Sequence, residues 1–277
     1  MNLRNVGEGK VVLLAGGGKV FTDIAARFVR SERTLEELIS SPYDKKIVEN
    51  IISSGHKAAV EFDYFIFGVE GYARVTEVQL VRKRLASFMI KTGRAEKNRN
   101  RAFDVVVPHG IMDFKVNYSG FSAKNVILPN GKTIADELSI DYVELNIAAN
   151  DILNIIEEWY NTGVDIGKKE EELRYLKPQA TEFKAIIGMN AHALIDWFNI
   201  RCCKNAQTEI RDMANKMMTI CKSASPDVFM NAGASCKTLG YCPENSLQHE
   251  DCKGKIITKD KALAVLRNYN KEGALGE

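Results

Sequence analysis

The basic segment Arg82-Lys83-Arg84, with Arg94 shortly after it, contains the residues with the clearest chemical potential. Arginine presents a fork of N–H donors that matches the oxygens of phosphate, so the segment could hold an anionic ligand. Two other interpretations stay open. The cations could occupy a solvated helix end, where they offset the helix dipole, or they could contact nucleic acid. Taken alone, the segment favours the solvated helix end.

A second polar group later in the chain shifts this balance towards a ligand site. Its members are Arg174, Asn190, Arg201 and Gln207. One helix face is predicted here, because residues recur in steps of three or four: Asn190, Leu194, Trp197, Arg201 and Asn205. A face that combines apolar groups with an amide and an arginine suits a nucleotide. The alternative is an arginine satisfied by partners in the core.

The composition narrows the range of partners. The chain has 277 residues, 45% hydrophobic and 27% charged, with a formal net charge of +2. Such a small charge gives no general attraction to nucleic acid, so none is predicted as a partner. No window approaches the roughly 18 apolar residues of a membrane span, and the N-terminus lacks a signal-peptide pattern. We therefore expect a soluble, cytoplasmic protein with no membrane partner and mostly reduced cysteines.

Hydrophobic periodicity predicts an α+β fold, with helices around a small, mainly antiparallel sheet. Strands are expected over 10–15 and 62–69, and helices over 21–30, 33–54 with a break at Ser41-Pro42, 73–87, 138–161, 168–176, 188–221 and 259–270. The segment 96–135 is predicted to be an irregular excursion, with extended pieces at 103–107 and 124–128 and a hairpin at Pro129-Asn130-Gly131. We expect a single domain over 1–277, with a Cys-rich tail from residue 221.

Several segments, in order and at matching spacing, resemble the flavin-dependent thymidylate synthase family. The stretch from Arg82 to Ala95 (RKRLASFMIKTGRA) resembles the family signature RHRxxSxNxxSxRY. Further similar segments are Ala25 to Arg27, Ser54 to His56 with Glu61, Phe67 to Val81, Arg174 to Pro178, Met189 to Arg201 and Ala206 to Arg211. The resemblance covers about 1–95 and 165–250.

This resemblance implies a homotetramer of α+β subunits with active sites at subunit interfaces. Such an enzyme makes dTMP from dUMP with FAD, and uses NADPH and methylene-tetrahydrofolate as co-substrates. Positions that match the family would bind the cofactor through His56, Glu61, Arg82, Lys83, Arg84, Ser87, Asn190 and Asp196. The nucleotide would be bound by Gln79, Thr92, Gly93, Arg94, Arg174 and Arg201, with Arg201 and Thr92 as catalytic residues.

The signature departs from the family pattern at several positions. Lys83 replaces the histidine, Thr92 replaces a serine, and Ala95 replaces the final tyrosine, while Met89 and Ile90 replace polar residues. Lysine adds a permanent charge and removes a ring that could change protonation near neutral pH. Two alternatives therefore stay open: a diverged enzyme with a different one-carbon product, such as hydroxymethylation, and a non-catalytic flavin- or nucleotide-binding protein.

The Cys-rich tail raises the question of a metal site. Its candidate ligands are Cys221, Cys236, Cys242, Cys252 and His249. Their spacing lacks the close Cys pairs of common zinc sites. We therefore predict no metal and reduced thiols in an ordered tail, with metal binding as the alternative.

Overall fold

The computed structural model describes residues 1–17, 21–91, 102–112, 115–125, 127–139 and 141–273. The chain forms two compact units, one of Met1–Val6 with Thr92–Glu182 and one of Gly7–Lys91 with Phe183–Glu277. The prediction of a single domain stays a prediction.

The strands are β1 (Asn2–Asn5), β2 (Lys10–Ala15), β3 (Tyr64–Ala73), β4 (Ser87–Ile90), β5 (Asp104–Val107), β6 (Lys115–Ser122), β7 (Tyr142–Ala148) and β8 (Glu182–Asn190). The α-helices are α1 (Phe21–Phe28), α2 (Leu35–Ser40), α3 (Lys45–Ser53), α4 (Arg74–Leu80), α5 (Ile134–Leu138), α6 (Ala149–Asp165), α7 (Glu170–Leu173), α8 (Ala191–Arg201), α9 (Thr208–Ala224), α10 (Pro226–Phe229), α11 (Ser235–Leu239) and α12 (Lys259–Gly273). Short 3-10 helices cover Lys57–Phe62, Ala123–Asn125, Arg174–Leu176, Asn245–Leu247 and Glu250–Cys252.

The larger unit is built on a four-stranded sheet with the order β2-β3-β8-β4. The pairs β2–β3 and β4–β8 are antiparallel. In β8 every second side chain is buried: Phe183, Ala185, Ile187 and Met189. This alternation follows from the two-residue repeat of a strand, so one face of β8 belongs to the core.

Helices α8 and α9 carry much of the remaining core of this unit. Leu194, Phe198 and Met213 are fully buried there, together with Phe65 and Phe67 of β3. Burial of a large apolar side chain stabilises a fold by about 1.5–3 kcal/mol, so this cluster fixes both helices against the sheet. The two helices are therefore rigid supports for residues at their ends.

The smaller unit has its own, more modest core. Strands β1 and β5 pair in parallel, and β6 and β7 form an antiparallel pair. Five buried residues pack together between these elements and α6: Phe103, Val105, Leu153, Tyr160 and Leu173. The amino group of Met1 lies 3.1 Å from a carboxylate oxygen of Glu157, which attaches the N-terminus to α6.

The α+β prediction is confirmed, and so are several elements. Strand β2 has the predicted bounds, and the helical region after residue 33 is interrupted at Ser41-Pro42 between α2 and α3. A short hairpin at Pro129-Asn130-Gly131 is also present, because Ile127 and Thr133 form an antiparallel bridge and the N–H of Leu128 donates to the carbonyl of Lys132 at 2.8 Å. In the described residues, no helix is both long and apolar enough to cross a membrane.

Three predicted helices are wrong in extent. The helix expected over 73–87 ends at Leu80, because Ser87–Ile90 pairs with β8. The helix expected over 138–161 begins only at Ala149, because 142–148 pairs with β6. The helix expected over 188–221 is replaced by the end of β8, then α8, a turn and α9. Part of the predicted irregular excursion is likewise the strand β6, and its expected extended piece at 124–128 starts as a 3-10 turn.

Candidate functional site

A polar group forms where the end of α4 meets the end of α8. Gln79 lies in the last turn of α4, and Arg201 is the last residue of α8. The Arg201 guanidinium donates to the Gln79 side-chain oxygen at 3.4 Å and to its carbonyl at 3.1 Å. The structure therefore brings together two predicted substrate-binding residues that are 122 positions apart in sequence.

Behind this group, a buried carboxylate joins α4 to α9. Glu209 is only 1% exposed and accepts from the Ala73 N–H at 2.8 Å and the Thr76 hydroxyl at 2.5 Å. Burial raises the pKa of Glu209, and these two hydrogen bonds lower it in part. Gln207 caps α9 and lies within 3.5 Å of the Gln79 amide. This network holds α4, which carries Gln79, against the start of α9.

The electrostatic environment of Arg201 is unbalanced. Burial, and then the positive charge of Arg82, lower the pKa of the Arg201 guanidinium. A guanidinium nevertheless stays protonated near neutral pH. Among the described residues, no carboxylate forms a salt bridge with Arg201 at 4.0 Å or less. A guanidinium that lies near a second cation and has no such partner attracts an anionic ligand.

The basic segment lies in the connection between α4 and β4 rather than in a helix. The side chains of Arg82 and Arg84 are exposed, and Lys83 is half-buried. Ser87, also exposed, begins β4 and pairs with Gly188. The prediction that these charges lie within a helix is therefore wrong, but they follow the C-cap Val81 of α4 directly, so a solvated position at the helix end stays open.

A second group gathers at the start of α8. The His192 ring lies 2.9 Å from Glu61 through Nδ1 and 3.4 Å from Asp196 through Nε2. The Lys57 ammonium donates to the other Asp196 oxygen at 2.9 Å. Glu61 and Asp196, both predicted cofactor-binding residues, are thus joined through His192. The roles of His192 and Lys57 were not predicted, although the four-residue step from His192 to Asp196 is a signal for a shared helix face.

Two further predicted cofactor residues flank this group. Asn190 caps α8, because its side-chain oxygen accepts from the Ala193 N–H at 2.7 Å. An amide that accepts through oxygen still has two N–H donors for another partner. His56 is exposed just before the 3-10 helix Lys57–Phe62, which packs on α8.

Four predicted substrate-binding residues are not placed in this arrangement. Thr92, Gly93 and Arg94 lie outside the described residues. Arg174 belongs to the smaller unit, where its Nε donates to the carbonyl of Glu171 at 3.2 Å. Their roles stay predictions.

Across the described part of the chain, no group of three or more His, Cys, Asp and Glu residues is arranged to hold a single metal ion. All six cysteines are free thiols. Burial raises the pKa of Cys202 to about 11, so this thiol is neutral near pH 7.

Solved structures resemble this fold. A UMP/dUMP methylase, PolB, from Streptomyces cacaoi, bound with 5-Br dUMP, superposes with a TM-score of 0.61 at 19% identity, over 83% of this chain and 96% of that one. A second structure of that methylase, with 5-Br UMP, gives a TM-score of 0.56 at 18% identity. At such identities the likeness defines the fold class.

Sequence comparisons identify the family. A family model described as thymidylate synthase complementing protein matches residues 17–227. The flavin-dependent thymidylate synthase of Nitratidesulfovibrio vulgaris is 34% identical over 197 residues, 71% of each chain. That of Geobacter sulfurreducens is 32% identical over 227 residues, 81% of this chain and 85% of the relative. The chain therefore belongs to the flavin-dependent thymidylate synthase family, an enzyme family, as its motifs predict.

Proposed function

We propose that this protein transfers a one-carbon unit to C5 of dUMP, as a cytoplasmic thymidylate synthase that uses FAD, NADPH and methylene-tetrahydrofolate. The observation that carries the proposal is the group of Arg201, Gln79 and Arg82, which lies in the region matched by the family. It supplies positive charge and amide hydrogen bonds at one place, as a pyrimidine nucleotide requires.

The nucleotide phosphate is a dianion, and arginine forks match its oxygens. We assign nucleotide binding to Gln79 and Arg201 and, from the sequence match, to Thr92, Gly93, Arg94 and Arg174. Arg201 and Thr92 are also the proposed catalytic residues. As C5 becomes nucleophilic, negative charge develops on the uracil ring, and a partly buried guanidinium stabilises it more strongly than one in water. The two contacts from Gln79 hold Arg201 in place for this role.

The residues proposed for the flavin form two groups that suit its chemistry. Arg82, Lys83 and Arg84 lie in the connection before β4 and Ser87 begins that strand, where cations and a hydroxyl suit the diphosphate of FAD. His56, Glu61, Asn190 and Asp196 surround the start of α8 and offer hydrogen-bonding groups. When bound, the flavin supplies the hydride chemistry, and the protein positions the reactants.

We also propose the homotetramer implied by the family. One face of the sheet in the larger unit exposes apolar side chains: Val12, Leu14, Met89 and Ile186, which are 54%, 54%, 75% and 42% exposed. These residues line a shared groove of about 440 Å³, flanked by Lys10, Glu70 and Lys184. A contiguous apolar face with a charged rim is typical of a protein–protein contact.

A diverged reaction on the same nucleotide, such as hydroxymethylation, is the second candidate. The replacement of a histidine by Lys83 favours it, since a permanent cation cannot exchange a proton near neutral pH. A non-catalytic flavin- or nucleotide-binding protein is the third.

The mass of the product distinguishes these candidates. The purified protein is incubated with dUMP, methylene-tetrahydrofolate, FAD and NADPH, and the nucleotide is analysed by mass spectrometry. A methyl gain supports thymidylate synthesis, a hydroxymethyl gain supports the second candidate, and no change supports the third. If the purified protein shows no flavin spectrum and acquires none with added FAD, both enzymatic candidates are excluded.

A further inference from the structure

A cavity of about 270 Å³ lies in the larger unit between α1, α2 and the start of α10. It is far larger than the roughly 30 Å³ of one water and close to the lower end of the pockets that hold small ligands, about 300 Å³. Ile39 and Tyr43 in its wall are 52% and 44% exposed, so solvent reaches it. Among the described residues, its lining includes none of those proposed for the nucleotide or the flavin.

An ion pair in this wall leaves two buried atoms without partners. Nη2 of Arg27 donates to Oδ2 of Asp23 at 2.6 Å, and the two side chains are 12% and 2% exposed. Within the described part of the chain, Oδ1 of Asp23 and Nε of Arg27 are buried and have no hydrogen-bond partner. An arginine and a carboxylate can join through two parallel bonds, but this pair forms one. One acceptor and one donor are therefore left beside the bond.

Other contacts fix this ion pair in position. Oδ2 of Asp23 also accepts from the Asp44 N–H at 3.2 Å. Nη1 of Arg27 donates to the Ser41 hydroxyl at 2.7 Å, and that hydroxyl donates to the carbonyl of Leu38 at 2.8 Å. The pair is thus held between α1 and the segment that follows α2, so its two unpartnered atoms are preorganised for a ligand.

The charges of the wall are balanced. Its second carboxylate, Asp227, accepts from the Tyr43 hydroxyl at 3.0 Å and lies 3.3 Å from the Lys45 ammonium. Each carboxylate in the described wall therefore has a cation beside it. A charged ligand would have to leave water without a counter-charge in the cavity, which is costly. The cavity consequently suits a neutral ligand.

We propose that this cavity binds a small molecule with a primary carboxamide on a compact apolar body. A primary amide is neutral and carries its N–H donors and its oxygen acceptor on neighbouring atoms. Its N–H donates to Oδ1 of Asp23, and its oxygen accepts from Nε of Arg27. The apolar body packs against Ile24, Leu38 and Ile39, which line the same cavity.

Pairing both atoms removes the cost of two unpartnered buried polar groups, which is the reason to expect specificity for the amide. The inference goes beyond the proposed function and does not depend on it, because the two sets of residues are separate.

Binding of benzamide to the full chain tests the proposal. Its controls are N,N-dimethylbenzamide, which lacks the N–H donors, and benzoate, which also brings a negative charge towards Asp23. Isothermal titration should show saturable benzamide binding with a dissociation constant of about 1 mM or tighter, as suits a ligand of this size. Both controls should bind at least about 10-fold more weakly, since they lose a hydrogen bond to a charged group. No saturation by benzamide, or equal binding of all three, would overturn the proposal.

Variants locate the binding site. Ile39→Trp fills the cavity without changing the ion pair and should abolish benzamide binding. Leu35→Trp is the matched control, because Leu35 lies one turn earlier on α2 and lines a different groove. Undiminished affinity in Ile39→Trp would place the bound amide elsewhere and overturn the assignment.

Arg27→Lys keeps the positive charge but removes Nε. It should weaken benzamide binding by about 10-fold or more, the effect of one hydrogen bond to a charged group. Circular dichroism checks that each variant is folded. Equal benzamide affinity in the wild type and folded Arg27→Lys would contradict the proposed amide contact.

Discussion

At the scale of the residue, the proposed nucleotide site depends on Arg201. Its guanidinium is half-buried, bonded to Gln79 and close to Arg82. The sequence indicates that Arg201 faces a ligand, but its contact with Gln79 depends on packing between α4 and α8. Its role is therefore testable separately from that of its neighbours.

Arg201→Ala should strongly weaken dUMP binding. Loss of charge-assisted hydrogen bonds costs about 1.5–3 kcal/mol, or roughly a 10- to 150-fold loss of affinity, before any effect on chemistry. Isothermal titration with dUMP measures it. Arg201→Lys keeps the charge without the fork and should show an intermediate loss. Unchanged dUMP affinity in the alanine variant would remove Arg201 from the site.

Glu209 gives a prediction about pH. Its folded-state pKa is raised by burial, so the stability it contributes is fully present below its ordinary value of 4.5 and is lost as pH rises through the folded pKa. Glu209→Gln lacks this titration and keeps an acceptor for the Ala73 N–H. The unfolding free energy of the wild type, relative to this variant, should fall as pH rises above about 4.5, as measured by denaturant titrations across pH. A constant difference would contradict the prediction.

Glu209→Ala should have a lower free energy of unfolding than Glu209→Gln at every pH. It leaves the buried Ala73 N–H without its acceptor, which costs about 1–3 kcal/mol of unfolding free energy. Urea titration measures the loss, and the glutamine variant is the matched control. A loss in the alanine variant no larger than that in the glutamine variant would show that the acceptor contributes nothing.

At the scale of the element, α8 connects both proposed ligand groups. Its first turn carries His192, and its last residue is Arg201. The predicted helix over 188–221 misses both ends of α8. Local periodicity registers neither that β8 continues to Asn190 in the sheet nor that a turn separates α8 from α9. The alternation of apolar residues from Phe183 to Met189 is nevertheless a sequence signal for β8.

Asn190 allows its capping role to be separated from its proposed cofactor role. Asn190→Asp keeps an oxygen acceptor for the Ala193 N–H and should retain stability, but it removes two amide donors and adds a negative charge. We expect weaker FAD binding at unchanged melting temperature. Asn190→Ala should weaken FAD binding and also cost about 1 kcal/mol of stability.

Flavin fluorescence and thermal melts measure the two effects. Full FAD affinity in Asn190→Asp would leave Asn190 with a structural role only.

At the scale of the whole molecule, the exposed apolar face of the sheet is the feature that calls for a partner, which we propose to be a second copy of the chain. Val12→Lys places a charge on this face and should dissociate the proposed tetramer, since burying an unpaired charge is costly. Val265→Lys, on α12, is the control, because Val265 is 65% exposed outside that face. Light scattering measures the mass. An intact tetramer in Val12→Lys would place the interface elsewhere.

The sequence by itself determined the family and the α+β class, because signatures such as RKRLASFMIKTGRA and the main hydrophobic repeats are local properties of the chain. It also identified the arginines that suit an anionic ligand. Element ends were harder to predict, since strands such as β4 and β7 exist only through pairing with distant partners.

Only the tertiary structure decided which of these residues meet. Packing of α4 near the end of α8 brings Gln79, Arg82 and Arg201 together. Packing of the 3-10 helix Lys57–Phe62 on α8 joins Glu61 to Asp196 through His192. The fold also places Asp227 with Asp23 and Arg27 in the wall of one cavity. The physical reason is that such contacts depend on long-range burial and hydrogen bonding, which leave no periodic signal in the chain.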